Sequence, residues 1–471
     1  ESIEQRYKMF CAVNRGMHAL RHFIKTCQVI PFFFADESLR VGVGLARPVE
    51  SKVDVVEAPP VDELQIVHDV APKAKLAFRT GFLTAGDFAK GIQALADPNL
   101  PGGRCDVIVD DLSYLTEPFM QDGVVAKTVN DVVSQGVTYV TSAGNFGSNS
   151  YEAVFSPVTN TSIIATGQLH KYGSTTSDVF QTVSFKPGKY TIVLQWADNF
   201  YSLGTTGAQN DLDLYIVGTT GITLFGFNRS NINGDPVEVC PFTVDEQTTG
   251  KIMVVRSSGT ANVRFKYMIL RGEASIVDYK TGTSTIVGHA NSASAITVGA
   301  MLYDNIPPFT PVWPGVASFS SRGGTSTLQA NSFLVRNKPD LIAPNGVNTT
   351  VNLGGASGFN DGDPYPNFFG TSAAAPHVGG VAALLIQARK KFALQGTVTP
   401  TDIRQQLITS AGKFSYLPAG FSFEGGNGYV QADSAIQQTA NARPIIDTLM
   451  TTVSGAQNGT QPFELKVKGR Y

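Results

Sequence analysis

A serine at the start of an apolar helix is the side chain of this protein best placed to act as a nucleophile. Ser372 lies in the run Gly-Thr-Ser-Ala-Ala-Ala-Pro-His-Val-Gly-Gly-Val-Ala-Ala-Leu-Leu-Ile, residues 370–386. Amide N–H groups in the first turn of a helix have no intrahelical acceptor, and the helix dipole adds partial positive charge there. An oxyanion that forms beside the Ser372 hydroxyl would therefore be stabilised. Taken alone, the run also fits a buried helix with a serine N-cap.

Three further motifs favour the catalytic interpretation. Residues 137–145, Val-Thr-Tyr-Val-Thr-Ser-Ala-Gly-Asn, read as a buried strand that ends in a tight turn presenting an amide side chain. Two motifs then follow before the serine helix, Phe319-Ser-Ser-Arg-Gly and residues 338–347, Lys-Pro-Asp-Leu-Ile-Ala-Pro-Asn-Gly-Val. In this order along the chain, the motifs closely resemble those of the subtilisin-like serine peptidases (subtilases).

The resemblance implies roles for particular residues of these motifs. In that family the serine of Gly-Thr-Ser is the nucleophile and the asparagine of Ser-Ala-Gly-Asn donates to the oxyanion, so the roles fall on Ser372 and Asn145. It also implies that Ser142, Gly144 and Gly370 contact the substrate. The activity implied is that of a serine endopeptidase, which hydrolyses peptide bonds within polypeptides.

The base that should activate the serine is harder to find. Subtilases take an aspartate from the end of the first strand, where this chain has Gly44, Leu45 or Ala46, and a histidine from the start of the next helix. At that helix the nearest acid is Glu63. It comes eight residues before Ala71, whereas some divergent relatives place the equivalent group about a dozen residues before it. The missing turn would displace Glu63 by roughly 5–6 Å along the helix axis, enough to break a catalytic hydrogen bond.

Two adjacent carboxylates offer another source of a base. Asp110 and Asp111 end the strand predicted at 106–110, at the edge that lines the substrate cleft in subtilases, so Asp110 is also expected to contact the substrate. One of the pair could accept the serine proton, or could pair with Glu63 as in the sedolisins, the acid-acting relatives of subtilases. The favoured interpretation of the pair, however, is that it caps the turn at 112–119. A carboxylate base predicts activity that favours acidic pH, because its unperturbed pKa lies near ~4. A neutral or alkaline optimum would indicate a histidine.

The histidines are more readily interpreted as structural. His68 lies only three residues before Ala71, at the far end of its helix. His377 follows Ser372 by five positions, which turns it about 140° around the helix, away from the serine. His289 precedes a predicted core strand and could reach the specificity pocket, although a loop histidine with satisfied hydrogen bonds is the favoured interpretation.

The amino-acid composition limits which class of protein this is and which kinds of partner it binds. The chain has 471 residues, of which 42% are hydrophobic and 16% charged, which indicates a globular protein of two or three domains. A formal net charge of −2 without a basic block gives no reason to expect nucleic acid. We therefore expect a polypeptide substrate, no nucleic acid and no membrane span, while the oligomeric state stays open.

Localisation, cysteines and cofactors are predicted from weaker signals. The chain begins at Glu1 without an apolar leader, and richness in Gly, Ser, Thr and Asn suits a secreted or cell-surface protein. The four cysteines are irregularly spaced and read as buried or free thiols rather than a disulfide framework. No cofactor is expected to be required and no metal site is predicted. Asp211 and Asp213, on one face of a strand, could nevertheless contribute oxygen ligands to calcium.

The elements that must position these residues show two different sequence patterns. From residue 41, short apolar strands alternate with helices, which predicts a parallel sheet covered on both faces, with its binding site at the carboxyl ends of the strands. After His170, apolar residues alternate with polar ones and no helix intervenes, which predicts an antiparallel β-sandwich. The predicted units are an N-terminal segment or propeptide junction at 1–40, a subtilisin-like domain at 41–169 and 276–442, an inserted sandwich at 170–275, and a truncated immunoglobulin-like module at 443–471.

Two functional hypotheses follow. The first is a secreted, divergent subtilisin-like endopeptidase that uses Ser372, Asn145 and a carboxylate near Glu63 or Asp111. The alternative is a catalytically inactive protein of the same fold that binds surfaces or mediates adhesion. The presence of both Ser372 and Asn145 favours the enzyme, because a pure scaffold needs neither side chain. A third reading is that residues 1–62 depart from the natural chain and hide an ordinary triad.

Overall fold

The computed structural model describes residues 40–45, 54–55, 62–81, 83–100, 103–305, 315–330, 332–350, 361–392, 398–413, 420–439, 445–451 and 465–470. The predicted propeptide junction lies outside these ranges apart from residue 40. Within the described ranges, the chain forms a parallel α/β domain, an antiparallel sandwich inserted into it, and a separate antiparallel strand pair formed by Ile445–Thr451 and Leu465–Arg470. The α/β and antiparallel parts agree with the predicted fold class. The immunoglobulin-like assignment of 443–471 stays a prediction.

The α/β domain is built on a seven-stranded sheet. Its strands run in the spatial order Asp54–Val55, Lys75–Thr80, Arg40–Leu45, Val107–Asp110, Thr138–Ser142, Ile296–Leu302 and Leu341–Asn345. Every neighbouring pair is parallel except the first. Since parallel strands end at one edge of a sheet, the residues that follow Asp110 and Ser142 lie side by side.

Helices cover both faces of this sheet and make two hydrophobic cores. One core contains residues of the helices Asp62–Val70, Thr371–Phe392, Pro400–Ser410 and Ala432–Thr439, and the other contains residues of Ala85–Ala96 and Val124–Ser134. Alternate side chains of a strand serve alternate cores, because successive side chains point to opposite faces. Val107 and Val109 lie in the first core and Ile108 in the second.

The helix Thr371–Phe392, hereafter the serine helix, passes close to its neighbours because its buried face is made of small residues. A Cβ atom added at Gly379 would lie 2.3 Å from Val109, and one added at Gly380 would lie 2.7 Å from Val70. A larger side chain at either glycine would push the helix away from the sheet or from the helix Asp62–Val70. The small residues therefore hold Ser372 at a fixed height above the sheet edge.

The inserted sandwich consists of two antiparallel sheets. One is ordered Val237–Val244, Gly188–Trp196, Arg264–Arg271 and Ser150–Val154. The other is ordered Thr223–Phe227, Asp211–Val217, Thr248–Ser258, Gln168–His170 and Pro157–Val158, with Gln181–Phe185 and Ala274–Ile276 attached.

The sandwich sheets include three strands that lie at or before the predicted start at residue 170, which are Ser150–Val154, Pro157–Val158 and Gln168–His170. Ser150–Val154 pairs antiparallel with Arg264–Arg271 and is an edge strand of the sandwich. Its sequence, Ser-Tyr-Glu-Ala-Val, is short and half polar, so its membership depends on a partner more than a hundred residues away. Local sequence patterns cannot detect such a pairing.

Short elements complete the described fold. They are the 3-10 turns Tyr201–Leu203, Gly288–Asn291 and Tyr303–Asn305, the strand pair Ser326–Gln329 with Ser332–Val335, and the strand pair Val347–Asn348 with Asn367–Phe368. The described residues include no helix with the length and apolarity to cross a membrane.

Candidate active site

Ser372 lies in the first turn of the serine helix and is partly exposed. The residue two positions before it, Gly370, has a φ of +113°, in the region that side chains other than glycine rarely adopt. A Cβ atom added at Gly370 would lie 3.0 Å from the Asn145 Nδ2 and 3.6 Å from the Ser372 N. Both nitrogen donors therefore flank one point beside the serine, and glycine keeps this point open.

The orientation of the Asn145 side chain follows from its hydrogen bonds. The Thr371 N and Oγ1 donate to the Asn145 Oδ1 at 2.9 and 3.0 Å. The buried Thr371 Oγ1 also accepts from the Gly144 N at 3.1 Å, so the end of one motif is tied to the start of the other. Because both bonds to Asn145 occupy its oxygen, the Nδ2 is left to donate towards a substrate. Asn145 itself is exposed.

The turn that carries Asn145 is held by the Phe319-Ser-Ser-Arg-Gly motif. The Ser321 N donates to the Gly144 O at 2.9 Å, and the Gly147 N donates to the Phe319 O at 2.7 Å. The Phe146 N donates to the Ser321 Oγ at 3.1 Å. These bonds fix the backbone on both sides of Asn145. The motif therefore supports the turn that carries Asn145.

Asp111 is the acid that lies next to the serine. Its carboxyl makes side-chain hydrogen bonds with Ser372 and with Glu63. Asp111 is the first residue after the strand Val107–Asp110, and Glu63 is a buried residue in the first turn of the helix Asp62–Val70. The structure thus brings Ser372, Asp111 and Glu63 together. The expected displacement of Glu63 does not isolate it, because the neighbouring strand end supplies a carboxyl between Glu63 and the serine.

The environment of Asp111 raises its pKa from 3.8 to about 6. Burial of the carboxyl is the largest cause, and the nearby charge of Asp110 acts in the same direction. The hydrogen bonds with Ser372 and Glu63 oppose the rise. Two carboxyl groups can hydrogen-bond to each other only if one carries a proton, and because this bond lowers the pKa of Asp111, Glu63 is the donor and Asp111 the acceptor. A carboxylate of this pKa is a better base at neutral pH than an ordinary aspartate.

Asp110 is engaged in a separate, buried network. The His289 Nε2 donates to the Asp110 Oδ1 at 3.0 Å and the His289 Nδ1 donates to the Glu117 Oε2 at 2.8 Å, which makes the ring a cation between two carboxylates. Thr141 Oγ1 and the Leu112 N also donate to the Asp110 Oδ1, at 3.0 and 3.1 Å. Burial acts to lower the pKa of His289, but the two carboxylates outweigh it and hold the pKa well above its usual value.

Two of the predicted substrate contacts are corrected by these positions. The side chains of Asp110 and Ser142 are each only 1% exposed, and the Asp110 carboxylate is used by His289 and the following turn. Neither side chain is open to a substrate. The reason is that both residues lie within the parallel strands rather than beyond their ends. Gly144 and Gly370 lie beside Asn145, where only their backbone could contact a substrate.

The other histidines lie in structural settings. His68 is exposed, with its Nδ1 3.7 Å from Asp69. His377 is fully buried and its Nδ1 donates to the Ala373 O at 2.8 Å. Burial lowers the pKa of His377 to about 4. His289 is the histidine that bears most directly on the candidate site, because it contacts Asp110, the residue before Asp111.

The contact of Glu117 with His289 was not predicted from the sequence. Glu117 lay within the turn assigned to 112–119 and gave no spacing signal of its own. An acid flanked by apolar residues, in Leu-Thr-Glu-Pro-Phe-Met, could have suggested a buried charge that needs a partner. The residues 111–120, hereafter the base segment, form neither helix nor strand and therefore depend on such contacts for their position.

The predicted metal and cysteine features fall elsewhere in the structure. Among the described residues, no group of three or more His, Cys, Asp and Glu side chains is arranged to hold a metal ion. Asp211 accepts from the Asn231 N at 3.0 Å and from the Ser257 Oγ at 3.1 Å, and burial raises the pKa of Asp213 to about 7. Calcium binding by this pair stays a prediction. Cys105 and Cys240 are buried and form no disulfide, and the other two cysteines lie outside the described residues.

The fold and the site define a class of hydrolase. A serine at a helix N-terminus, an asparagine on the adjoining turn and a carboxyl that hydrogen-bonds to the serine side chain lie together at the edge of a parallel α/β sheet. A model of the subtilase family matches residues 55–441. The chain belongs to this family, and its membership supports a serine peptidase function.

Curated relatives agree with this assignment. Subtilisin-like protease SBT1.4 of Arabidopsis thaliana is 30% identical over 191 residues, covering 34% of this chain and 23% of that protein. Fervidolysin of Fervidobacterium pennivorans is 27% identical over 185 residues, covering 39% and 21%. Subtilisin-like protease SBT1.5 of Arabidopsis thaliana is 25% identical over 385 residues, covering 75% and 46%. The chain spans less than half of the length of these relatives.

Solved structures are similar at lower identity. The CspB protease of Clostridium perfringens has a TM-score of 0.49 and 16% identity, with 79% of this chain and 76% of that chain covered. The self-cleaved protease domain of PatA has a TM-score of 0.40 and 15% identity, with 86% and 98% covered.

Proposed function

We propose that this chain is a serine endopeptidase in which a carboxylate pair replaces the histidine as the base. Asp111 accepts the proton of Ser372, Glu63 orients and tunes Asp111, and Asn145 stabilises the oxyanion together with the Ser372 N. The observation that carries the proposal is the hydrogen bonding of one carboxyl, that of Asp111, to both Ser372 and Glu63.

The proposed reaction begins with attack on the carbonyl carbon of the scissile peptide bond. The Ser372 Oγ forms a bond to that carbon while its proton passes to Asp111, and the carbonyl oxygen becomes an oxyanion. The Asn145 Nδ2 and the Ser372 N flank one open point, where their N–H groups could donate to this oxyanion. Collapse of the intermediate breaks the C–N bond, and the proton on Asp111 passes to the leaving amine.

The second half of the reaction releases the acyl group. A water molecule gives a proton to Asp111 and attacks the ester carbon, and the same donors stabilise the new oxyanion. The C–O bond to Ser372 then breaks, and the serine oxygen recovers a proton from Asp111. The products are a carboxylic acid and the amine released earlier. Each step uses side chains of the chain and water, so we propose that no cofactor is required.

The raised pKa of Asp111 revises the expected pH dependence. An ordinary carboxylate near pKa ~4 would favour acidic conditions. With the pKa at about 6, Asp111 is mostly deprotonated only above this pH, so the proposed activity rises through pH 6 and reaches neutral conditions.

For the substrate and the cellular location of the protein, we propose only a general class. The family supports a polypeptide substrate, and we propose that the chain cleaves within polypeptides outside the cell or at its surface. The alternative of an inactive binding protein is not favoured by membership in a peptidase family. It would also leave the pairing of Asp111 with Ser372 without a role.

The proposal is tested by labelling the protein with a fluorophosphonate probe between pH 4 and 8. The probe bonds to an activated serine, so we expect labelling of the wild type and none of Ser372→Ala. Hydrolysis of an unstructured protein such as casein should follow the same pattern. Absence of labelling at every pH, in a sample shown to be folded by circular dichroism, would overturn the proposed function.

A further inference from the structure

The inserted sandwich packs directly against the segments that carry the site residues. The last five residues of its strand Gly188–Trp196 are buried on both faces. Ile192, Leu194 and Trp196 lie in the core of the sandwich. Val193 and Gln195 point the opposite way and are nevertheless only 0% and 1% exposed. A sandwich strand with a solvated outer face would carry polar, exposed residues on that face. The burial of Val193 and Gln195 therefore indicates that this second face packs against another part of the protein.

Gln195 pairs with the backbone of the base segment. Its Nε2 donates to the Glu117 O at 2.9 Å, and its Oε1 accepts from the Phe119 N at 2.8 Å. A side-chain amide has the donor and acceptor of a peptide group, so Gln195 substitutes for a neighbouring strand at a segment that has none. Both bonds are buried, and their loss would leave a backbone donor and acceptor without partners.

Apolar contacts reinforce this pairing on both sides of the site. Phe119 and Met120 of the base segment share a hydrophobic cluster with Phe146, the residue after Asn145. The sandwich contributes the other main members of the cluster, which are Val193, Phe200, Val237 and Met268. One face of the sandwich therefore contacts the segment that begins at Asp111 and the turn that carries Asn145.

The base segment is also held from the α/β domain. Glu117 is bonded through its side chain to His289 and through its carbonyl to Gln195. The Leu328 N donates to the Met120 O at 2.6 Å. Gln195 is the member of this set that belongs to the insertion. It bonds to the backbone on either side of Pro118, whereas His289 reaches only a side chain.

We infer that the inserted sandwich is a scaffold for the catalytic site and that Gln195 is a positioning residue for Asp111. The sandwich fixes the far end of the base segment, and the strand Val107–Asp110 fixes its beginning, so the first residue of the segment is held in register with Ser372. This inference rests on the proposed function, since it assigns Asp111 as the base. It gives the insertion a role in catalysis that does not require a ligand of its own.

The test compares two buried sandwich glutamines changed in the same way. Gln195→Leu removes both bonds to the base segment while keeping similar side-chain volume. Gln181→Leu is the matched control, because Gln181 is 0% exposed and its Nε2 donates to the Asp278 and Tyr279 carbonyls, away from the site. Thermal unfolding of both variants shows whether the two changes destabilise the protein to a similar extent.

Two readouts are taken on each folded variant. We expect Gln195→Leu to lower kcat by about 10-fold or more with KM within about twofold, because misplacement of a catalytic group by even about 1 Å is costly. We expect amide hydrogen exchange to become faster in peptides covering 111–120, with no change at 124–134. Gln181→Leu should change neither quantity. Equal kcat values in the two variants, or unchanged exchange at 111–120 in Gln195→Leu, would overturn the inference.

The two readouts separate failure of this inference from failure of the proposed function. If the wild type neither cleaves protein nor reacts with the fluorophosphonate, the proposed function is wrong. Hydrogen exchange still decides in that case whether the sandwich fixes the base segment. If the wild type is active and Gln195→Leu matches it in both readouts, the proposed function stands and the positioning role is wrong.

Discussion

Asp111 hydrogen-bonds to the side chain of Ser372, although the two residues come from different elements of the domain. Asp111 follows the strand Val107–Asp110, and Ser372 lies in the first turn of the serine helix, which crosses that strand. The contact joins the carboxyl edge of the sheet to the N-terminus of the helix. It therefore places the proposed base, the proposed nucleophile and the proposed oxyanion donors in one small region.

Glu63 should set the lower pH limit of activity through its bond to Asp111. This bond lowers the pKa of Asp111, against the larger effect of burial. Glu63→Ala removes the bond, so we expect the acidic limb of the kcat/KM profile to move above pH 6. Glu63→Gln keeps an N–H donor and should leave the limb close to its wild-type position. Profiles for the three proteins between pH 4 and 8 check this, and identical limbs in wild type and Glu63→Ala would contradict it.

Asn145 should contribute to the chemical step rather than to binding. Its Nδ2 is aimed at the open point beside Gly370 by the two bonds from Thr371. Removal of one such donor typically lowers kcat by about 10²–10³-fold. We expect this loss in Asn145→Ala with KM nearly unchanged. Steady-state kinetics on a peptide substrate provide the measurement, and a change confined to KM would show that Asn145 only binds substrate.

His289 should stabilise the fold in a pH-dependent manner. Its folded-state pKa lies well above 6.5, so its contribution is fully present below pH 6.5 and is lost as the pH rises through the folded-state value. His289→Gln leaves Asp110 and Glu117 without their cation, which for buried pairs costs about 3–5 kcal/mol. Urea unfolding at several pH values measures the difference from the wild type. A difference near zero at pH 6 would show that the ring is not a cation.

His170 should have the opposite effect in the sandwich. Its Nδ1 accepts from the Ser156 N at 3.1 Å, its Nε2 contacts the Tyr151 Oη at 3.0 Å, and burial lowers its pKa to about 3. The neutral ring contributes stability above pH 6.5, and this contribution is lost as the pH falls from 6.5 towards 3. We expect His170→Leu to lose less stability over that range than the wild type. Parallel pH dependences would refute the assignment.

The positions of Ser372 and Asn145 could be predicted from sequence because each residue lies in a short motif at the end of a regular element. Gly-Thr-Ser begins a long apolar helix, and Ser-Ala-Gly-Asn ends a buried strand. The alternation of strands and helices likewise predicted the parallel sheet, because a covered strand is uniformly apolar. Local pattern was sufficient for these features.

The carboxyl that neighbours Ser372 was harder to predict because its position depends on contacts between distant elements. Spacing within one helix suggested that Glu63 lay out of reach, and nothing in that spacing could show that Asp111 would lie between Glu63 and Ser372. The buried ring of His289 between Asp110 and Glu117 depends on three separate segments. The early start of the sandwich at Ser150 has the same cause, since a strand of five residues is defined by its partner.

The most direct test of the carboxylate base is the rate of fluorophosphonate labelling as a function of pH in wild type and Asp111→Asn. The asparagine keeps the size of the side chain but cannot accept the serine proton. We expect wild-type labelling to rise with an apparent pKa near 6, and the variant to react about 10²–10⁴-fold more slowly without that rise. Labelling of Asp111→Asn at the wild-type rate, with the same pH dependence, would show that another group activates Ser372.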